Sequence, residues 1–377
     1  MPCLNEAETL EICINKALGY LERSGVAGEV VIADNGSTDG SQEIAEDLGA
    51  RVVPVAAKGY GNALMGGIAA ARGRYVIMGD ADDSYDFLEL GKFVERLREG
   101  NDLVQGCRLE RGGGRVLPGA MPVLHRRLGN PLFSALARRW FRAPIHDIYC
   151  GLRGFTKRHY LSLNQRCTGM EFATEMIIKS SLQSARIAEV PITLHPDGRQ
   201  AHTPHLRTFR DGWRTLRFFL MCSPRWLFLF PGLMLVLLGL VGYALALPAV
   251  HAFGVIFDAH TLLFASLALL CGVQSIMFAV FTKVFAISEG LLPPDPRVER
   301  AYQFLTLEKG LILGGVAMIV GLILLIVAIF EWRSTDFGEL DYASTMRVVV
   351  PGVTLTALGF QTLLSSFFVG VLGMRRL

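Results

Sequence analysis

Four stretches of at least 21 residues, 227–247, 261–282, 310–330 and 348–374, contain no Asp, Glu, Lys or Arg. At about 1.5 Å per residue, a helix of that length covers the roughly 30 Å hydrocarbon core of a bilayer. They predict four transmembrane helices, at about 227–247, 261–283, 310–330 and 348–374, in a membrane domain over 226–377. The chain is 51% hydrophobic with a mean hydropathy of +0.38, and the apolar excess lies after Arg225. Residues 1–200 hold no such run. They alternate short apolar strands with helical patterns, which predicts a globular α/β domain large enough for its own core. No secretory leader is read ahead of it.

The loops set an expected orientation. Residues 248–260 carry no Lys or Arg, whereas 283–309 carry Lys283, Arg297, Arg300 and Lys309, and Arg375 and Arg376 lie at the other end. The loop 331–347 has Arg333 and Arg347 against four acids. This bias places the soluble domain, the middle loop and the C-terminus in the cytoplasm, at an inner (cytoplasmic) membrane crossed several times. Seven cysteines without paired metal spacing agree with a reducing compartment. The net charge of +3 decides nothing, and no nucleic acid is expected as a partner.

Within the soluble part, the apolar strand at 75–79 ends in Asp80, Asp82 and Asp83, three aspartates within four residues. Carboxylates crowded at a strand end repel one another and are costly to desolvate unless they share a cation, so the pattern reads as a hard-metal site completed by a phosphate. A polar loop closing a strand is the other reading of an isolated Asp-x-Asp. Residues 29–34 and 51–55 form further strands, separated by turn chemistry at 35–40 and a helix through Leu48. A turn at Lys58-Gly59-Tyr60-Gly61 opens a small-residue helix over 62–71. Strands separated by helices of this length predict a Rossmann-like, mostly parallel sheet. Asp34 then sits at a strand's carboxyl end, where it either accepts bonds from a nucleotide or caps the following turn.

Six motifs in order, Pro2-Cys3-Leu4-Asn5-Glu6, residues 33–39, 58–61, Gly79-Asp80-Ala81-Asp82, Gly106-Cys107-Arg108 and Asp147 through Phe155, resemble family 2 glycosyltransferases of the GT-A fold. The branch they resemble is that of the polyprenyl-phosphate glycosyltransferases, such as dolichol-phosphate mannosyltransferase and undecaprenyl-phosphate glucosyltransferases. The resemblance implies a GT-A catalytic domain over 1–200 followed by an all-α four-helix transmembrane domain. It implies that Pro2, Asn5, Glu6, Asp34, Lys58, Gly59, Asp80 and Ala81 hold a nucleotide-sugar, with Asp80 and Asp82 on Mg2+ or Mn2+. It puts Arg108 and Arg153 near the phosphates and Asp147 near the acceptor. Some relatives place a Gln as a further metal ligand where this chain has Ser84, so water, Asp83 or Asp80 is expected instead. Family members also have an apolar strand before the Pro-Asn-Glu loop, and the expectation is that such a strand lies upstream of Met1.

The acceptor's phosphate is expected on arginines. Arg126, Arg127 and Asn130 flank one candidate segment. After Thr203-Pro204, Arg207, Arg210, Arg214 and Arg217 recur at helical spacing beside an apolar stripe of Leu206, Phe209, Trp213, Leu216 and Leu220. Residues 201–225 therefore read either as an amphipathic membrane-surface helix or as an ordinary surface helix.

The implied activity is inverting, metal-dependent transfer of a hexose from a UDP-glucose or GDP-mannose type donor to a polyprenyl phosphate, for cell-envelope glycan or protein glycosylation. The acceptor is already anionic, so Asp147 orients it, supports the sugar's cationic character, acts as a base, or pairs with an arginine. A polysaccharide synthase or glycolipid glycosyltransferase of the same fold is an alternative, although the Gln-x-x-Arg-Trp and Thr-Glu-Asp signatures of the former are lacking. A non-catalytic membrane scaffold is another. The bilayer is an expected partner, and homo-oligomerisation is left open.

Overall fold

The structure is a computed structural model and describes residues 1–199, 208–252, 254–290, 292–296 and 306–374. It divides into two compact units, Met1–Phe219 and Leu220–Leu377.

The first unit alternates β1 (Pro2–Cys3), α1 (Ala7–Ser24), β2 (Val31–Asp34), α2 (Ser41–Asp47), β3 (Arg51–Pro54), α3 (Tyr60–Ala70) and β4 (Tyr75–Met78). It continues through α4 (Gly91–Arg98), β5 (Leu103–Cys107), β6 (Arg115–Val116), α5 (Asn130–Phe141), β7 (Arg153–Thr156), α6 (Lys157–Leu163) and α7 (Glu171–Leu182). β8 (Ile187–Pro191), β9 (Thr193–Leu194) and α8 (Thr208–Cys222) complete it, α8 crossing the boundary between the units. α1 forms because Leu10, Cys13, Ile14 and Ala17 recur at helical spacing and are all buried, and it stops at Gly25, left-handed at φ 63°. Its first turn is capped from the β2–α2 loop, where Asp39 accepts from the Ala7 amide (3.0 Å) and Ser41 Oγ from the Glu6 amide (3.0 Å).

β1, β2 and β3 pair in parallel, as the strand–helix alternation predicts. A second sheet has the order β4-β7-β5-β8, with β7 antiparallel to both neighbours and β5 parallel to β8. Between β2 and β4 lies an apolar cavity of about 420 Å³, lined from one side by Leu21 of α1 and from the other by Leu64 and Ile68 of α3. Met1 sits at the cavity; its ammonium donates to the Val31 carbonyl (2.8 Å), and burial lowers its pKa to about 6. Among the described residues β4 pairs only with β7, so its other edge faces this gap.

Among the described residues of the second unit, the helices long and apolar enough to cross a membrane are Arg225–Ala246, Ala259–Ser288, Leu307–Ser334 and Tyr342–Leu372, each covering nearly all of its charge-free run. Tyr243 Oη bonds both Ser266 Oγ (2.7 Å) and Thr354 Oγ1 (2.9 Å), joining three of the spans by hydroxyls. The third and fourth spans approach so closely that a Cβ on Gly321 would stand 2.5 Å from the Thr356 amide nitrogen, which is why a small residue sits there. Arg347 pairs with Asp258 at 2.8 Å beside the ends of two spans.

An apolar space of this size, partly open to the surface, leaves its lining side chains short of packing partners. Appending a short Val/Ile-rich strand ahead of Met1 is therefore expected to raise the melting temperature by at least about 5 °C. Unchanged melting would mean that the helices close the gap without a strand.

Candidate active site

The sheet's carboxyl ends bring together residues far apart in sequence. Asp80 follows β4 and is half-buried; Tyr60 Oη donates to its Oδ1 at 2.9 Å. Gly151 is packed against it, and a Cβ there would lie 2.7 Å from Asp80 Oδ2. Asp82 turns the chain: its Oδ1 accepts from the Ser84 amide (3.1 Å) and hydroxyl (2.6 Å). Glu6 joins them from the start of α1. Arg199, just beyond β9, spans the cluster, Nη1 donating to Glu6 Oε1 (3.0 Å) and Nη2 to Asp82 Oδ2 (3.2 Å). Asp197 grips its other edge through Nε and Nη2.

The electrostatics follow from this crowding. Burial, and then the neighbouring acids against Arg199, push the Glu6 carboxyl up to about 7. Burial and Asp82 push Asp80 up to about 6. Glu6 Oε2 is buried without a hydrogen-bond partner. An orphaned carboxylate oxygen on Glu6, with Asp80 and Asp82 beside it, fits a hard divalent cation. Among the described residues no three His, Cys, Asp or Glu side chains form a ready-made cage, so water and phosphate would have to complete the ion's shell. Asp83 is left-handed at φ 58°, and its Oδ1 pairs with Lys16 at 2.7 Å.

Other expected residues lie elsewhere or are differently engaged. Arg153 is fully buried in β7, and its Nη atoms donate to the carbonyls of Ala173 and Cys150. Arg108 is locked in a two-pronged bond to Asp147 (Nε–Oδ2 2.7 Å, Nη2–Oδ1 2.9 Å), and Asp147 is wholly buried. The Arg108 charge still acts on Asp80, holding its pKa lower than it would otherwise be. Asp34 takes the capping role, accepting from the Gly36 and Ser37 amides and from Gln42. Lys58 Nζ donates to the Asn35 carbonyl and the Gly59 amide to Asn35 Oδ1, so this turn is tied to the end of β2. Asn5, left-handed at φ 59°, accepts from the Thr38 amide, beside Pro2 of β1. Ala81 is buried, its carbonyl receiving the Thr9 hydroxyl (2.6 Å).

Of the arginines expected for an acceptor, Arg127 is exposed, Arg126 pairs with Glu110, and Asn130 is buried against Met121. Arg207 with Thr203 and Pro204 lies outside the described residues, as does the side chain of Arg210. Arg214 lines a small pocket with Asp80, Tyr60, Tyr149 and Glu171, its Nε 3.9 Å from Glu171 Oε1. Sequence reasoning passed over Arg199. The signal available was Asp197-Gly198-Arg199, a turn with both charges directly after an apolar strand.

Carboxyls whose folded pKa exceeds the unfolded value stabilise the fold at low pH and lose that contribution as pH rises through the folded pKa. Glu6 and Asp80 should therefore make metal-free protein less stable on going from about pH 5 to about pH 8. Glu6→Gln should flatten that slope in thermal melts across the range; an unaltered slope would remove Glu6 as its source.

Residues 1–161 match the family described as "Glycosyl transferase family 2", and 280–373 match "Glycosyltransferase family 2 C-terminal transmembrane region". The "Low-salt glycan biosynthesis hexosyltransferase Agl6" of Haloferax volcanii is 37% identical over 374 residues, 99% of this chain and 88% of that protein. The "Dolichyl-phosphate hexose transferase" of the same organism is 32% identical over 182 residues, 48% of this chain and 77% of that one. Among solved structures, glucosyl-3-phosphoglycerate synthase from Mycobacterium tuberculosis is similar at 23% identity and a TM-score of 0.45, over 58% of this chain and 75% of that one. With a relative 37% identical over 99% of this chain, and family matches on both the sheet domain and the spans, the chain belongs to glycosyltransferase family 2.

Proposed function

We infer that the protein transfers a hexose from a nucleotide-sugar to a polyprenyl phosphate, inverting the anomeric centre, at the cytoplasmic face of the membrane. The observation that carries this reading is the carboxylate cluster of Glu6, Asp80 and Asp82 at the sheet's carboxyl edge, with a pocket that joins Asp80 to Arg214. The relatives named as a hexosyltransferase and as a dolichyl-phosphate hexose transferase support the sugar and lipid classes. The basic bias of the loops supports the orientation.

Asp80 and Asp82, with Glu6 at their side, would hold a Mg2+ or Mn2+ ion, which when bound supplies charge for the departing diphosphate. The chain's own residues do the rest. Tyr60 holds Asp80 through its phenol, which burial keeps protonated and therefore donating. Ser84 fixes Asp82 from within the turn. A lipid phosphate arrives already ionised, so its attacking oxygen needs no base. That suits Asp147, whose two oxygens are both taken by Arg108. We assign Asp147 to positioning Arg108, whose charge is felt at Asp80. Arg214 is the arginine of the helical stripe that shares a pocket with Asp80, and we assign it to the acceptor phosphate. It precedes the first span closely in sequence, where a lipid headgroup is at hand.

Assays of the purified chain with a panel of nucleotide-sugars and short polyprenyl phosphates test the reading directly. Asp82→Asn should lower kcat by at least about a hundredfold with melting preserved, since it removes charge but little volume. Turnover indifferent to that substitution and to chelator would rule out a metal-dependent transferase. Arg214→Gln should raise KM for the polyprenyl phosphate about tenfold, the worth of one charge-assisted hydrogen bond, while leaving that for the nucleotide-sugar near the wild-type value. Equal effects on both substrates would assign Arg214 to folding.

A further inference from the structure

Among the described residues, Arg199 is the cation that sits on the carboxylates a metal ion would need. Asp82 Oδ1 is committed within its own turn, to the Ser84 amide and hydroxyl, which leaves Oδ2 for any outside partner. Arg199 Nη2 takes that oxygen, and Nη1 takes Glu6 Oε1. The arginine is held there from several sides. Its loop is pinned across the Asp82 turn by backbone bonds from Gly198 to Asp82 (3.0 Å) and from His195 to Ser84 (3.0 Å), and Asp197 grips the Nε edge of the guanidinium. Its side chain is only 14% exposed, so the pairing is weakly screened.

We propose that Arg199 is the resident counter-ion of this site: its guanidinium bridges Glu6 and Asp82 before the donor arrives, and a divalent cation must displace it from Asp82. The proposal rests on the reading that the site takes a divalent cation. Asp197 holds Nε and, at 2.7 Å, the same Nη2 that reaches Asp82, so the guanidinium can release Asp82 and stay on Asp197 without leaving the cluster. The arrangement keeps repelling carboxylates folded in the absence of metal, and it lowers affinity for free metal until a nucleoside diphosphate adds its own ligands. A residue that merely supports the site would act in the opposite direction, since its removal would weaken metal binding.

The sign of the change in Mn2+ affinity therefore decides the matter. Full-length protein in detergent is titrated with Mn2+ alone, and the free ion is read by electron paramagnetic resonance. Arg199→Gln is expected to tighten binding about tenfold, the equivalent of one lost competing ion-pair bond. Arg199→Lys, which keeps the charge but reaches one carboxylate at a time, is expected to fall between the two, and it carries the test should the glutamine variant fail to fold. Melting without metal should be lower for Arg199→Gln than for wild type, and the gap should close as Mn2+ is added. Unchanged or weaker Mn2+ binding in both variants, with clear binding by wild type, overturns the proposal and leaves the metal-dependent reading standing. Absence of Mn2+ binding in all three proteins overturns the proposal, and its absence also when UDP is added overturns the metal-dependent reading.

Discussion

Repulsion among Glu6, Asp80 and Asp82 is the constraint around which the rest of the soluble unit is arranged. Burial, and then the neighbouring acids, raise the pKa of Glu6 and Asp80, and carboxylates crowded at one edge of a sheet would drive it apart if left alone. Each is held by a different device. Tyr60 from α3 takes Asp80, Ser84 takes Asp82 within its turn, and Arg199 bridges the gap between Asp82 and Glu6. Tyr60 and Arg199 come from parts of the chain far from Asp80 and Asp82 in sequence, so the strands of this unit must be in place before the cluster is satisfied. A site that remains short of positive charge is suited to a substrate that brings a cation with its phosphates.

Behind that edge, two arginines have been drawn into structure. Arg153 lies in the central antiparallel strand of the second sheet and collects carbonyls from the loop that leads into it, which orders residues 148–151 under Asp80. Arg108 and Asp147 neutralise each other in a buried two-pronged pair, and Gln105 holds the carbonyls of Asp147 and Cys150 from the same strand. Removing either member of such a pair leaves an uncompensated buried charge. Loss of activity on mutating Asp147 or Arg108 therefore needs a folding control before it is read as chemistry.

The membrane unit follows a different logic, because lipid offers no partner for a polar group. Its hydroxyls meet one another at Tyr243, Ser266 and Thr354, and its glycines let the third and fourth spans approach to backbone contact. Arg347, expected from sequence as a loop charge, is matched by Asp258. The soluble unit uses its polar residues to hold charge in tension, whereas this unit uses them to cancel one another.

The order of strands and helices from β2 through β4, the parallel pairing of β2 with β3 and the four spans were legible in sequence because each depends on local periodicity and length, whereas the strand at Pro2–Cys3 and the helix after it were not read there. The same holds for the placing of Asp80 and Asp82 at a strand end. What the residues around them do was not legible. Asp34 turned to its own turn, Arg153 inward, and Asp147 to Arg108, outcomes set by which backbone groups and charges lie nearby after folding. Arg199 is 117 residues from Asp82, and no local pattern reports a pairing at that separation. Sequence by itself determined the chemical types present, a family 2 pattern on a sheet domain joined to four apolar spans. Only the tertiary structure decided which charges face one another, because Coulomb and desolvation energies depend on distance and burial in space and not on position along the chain.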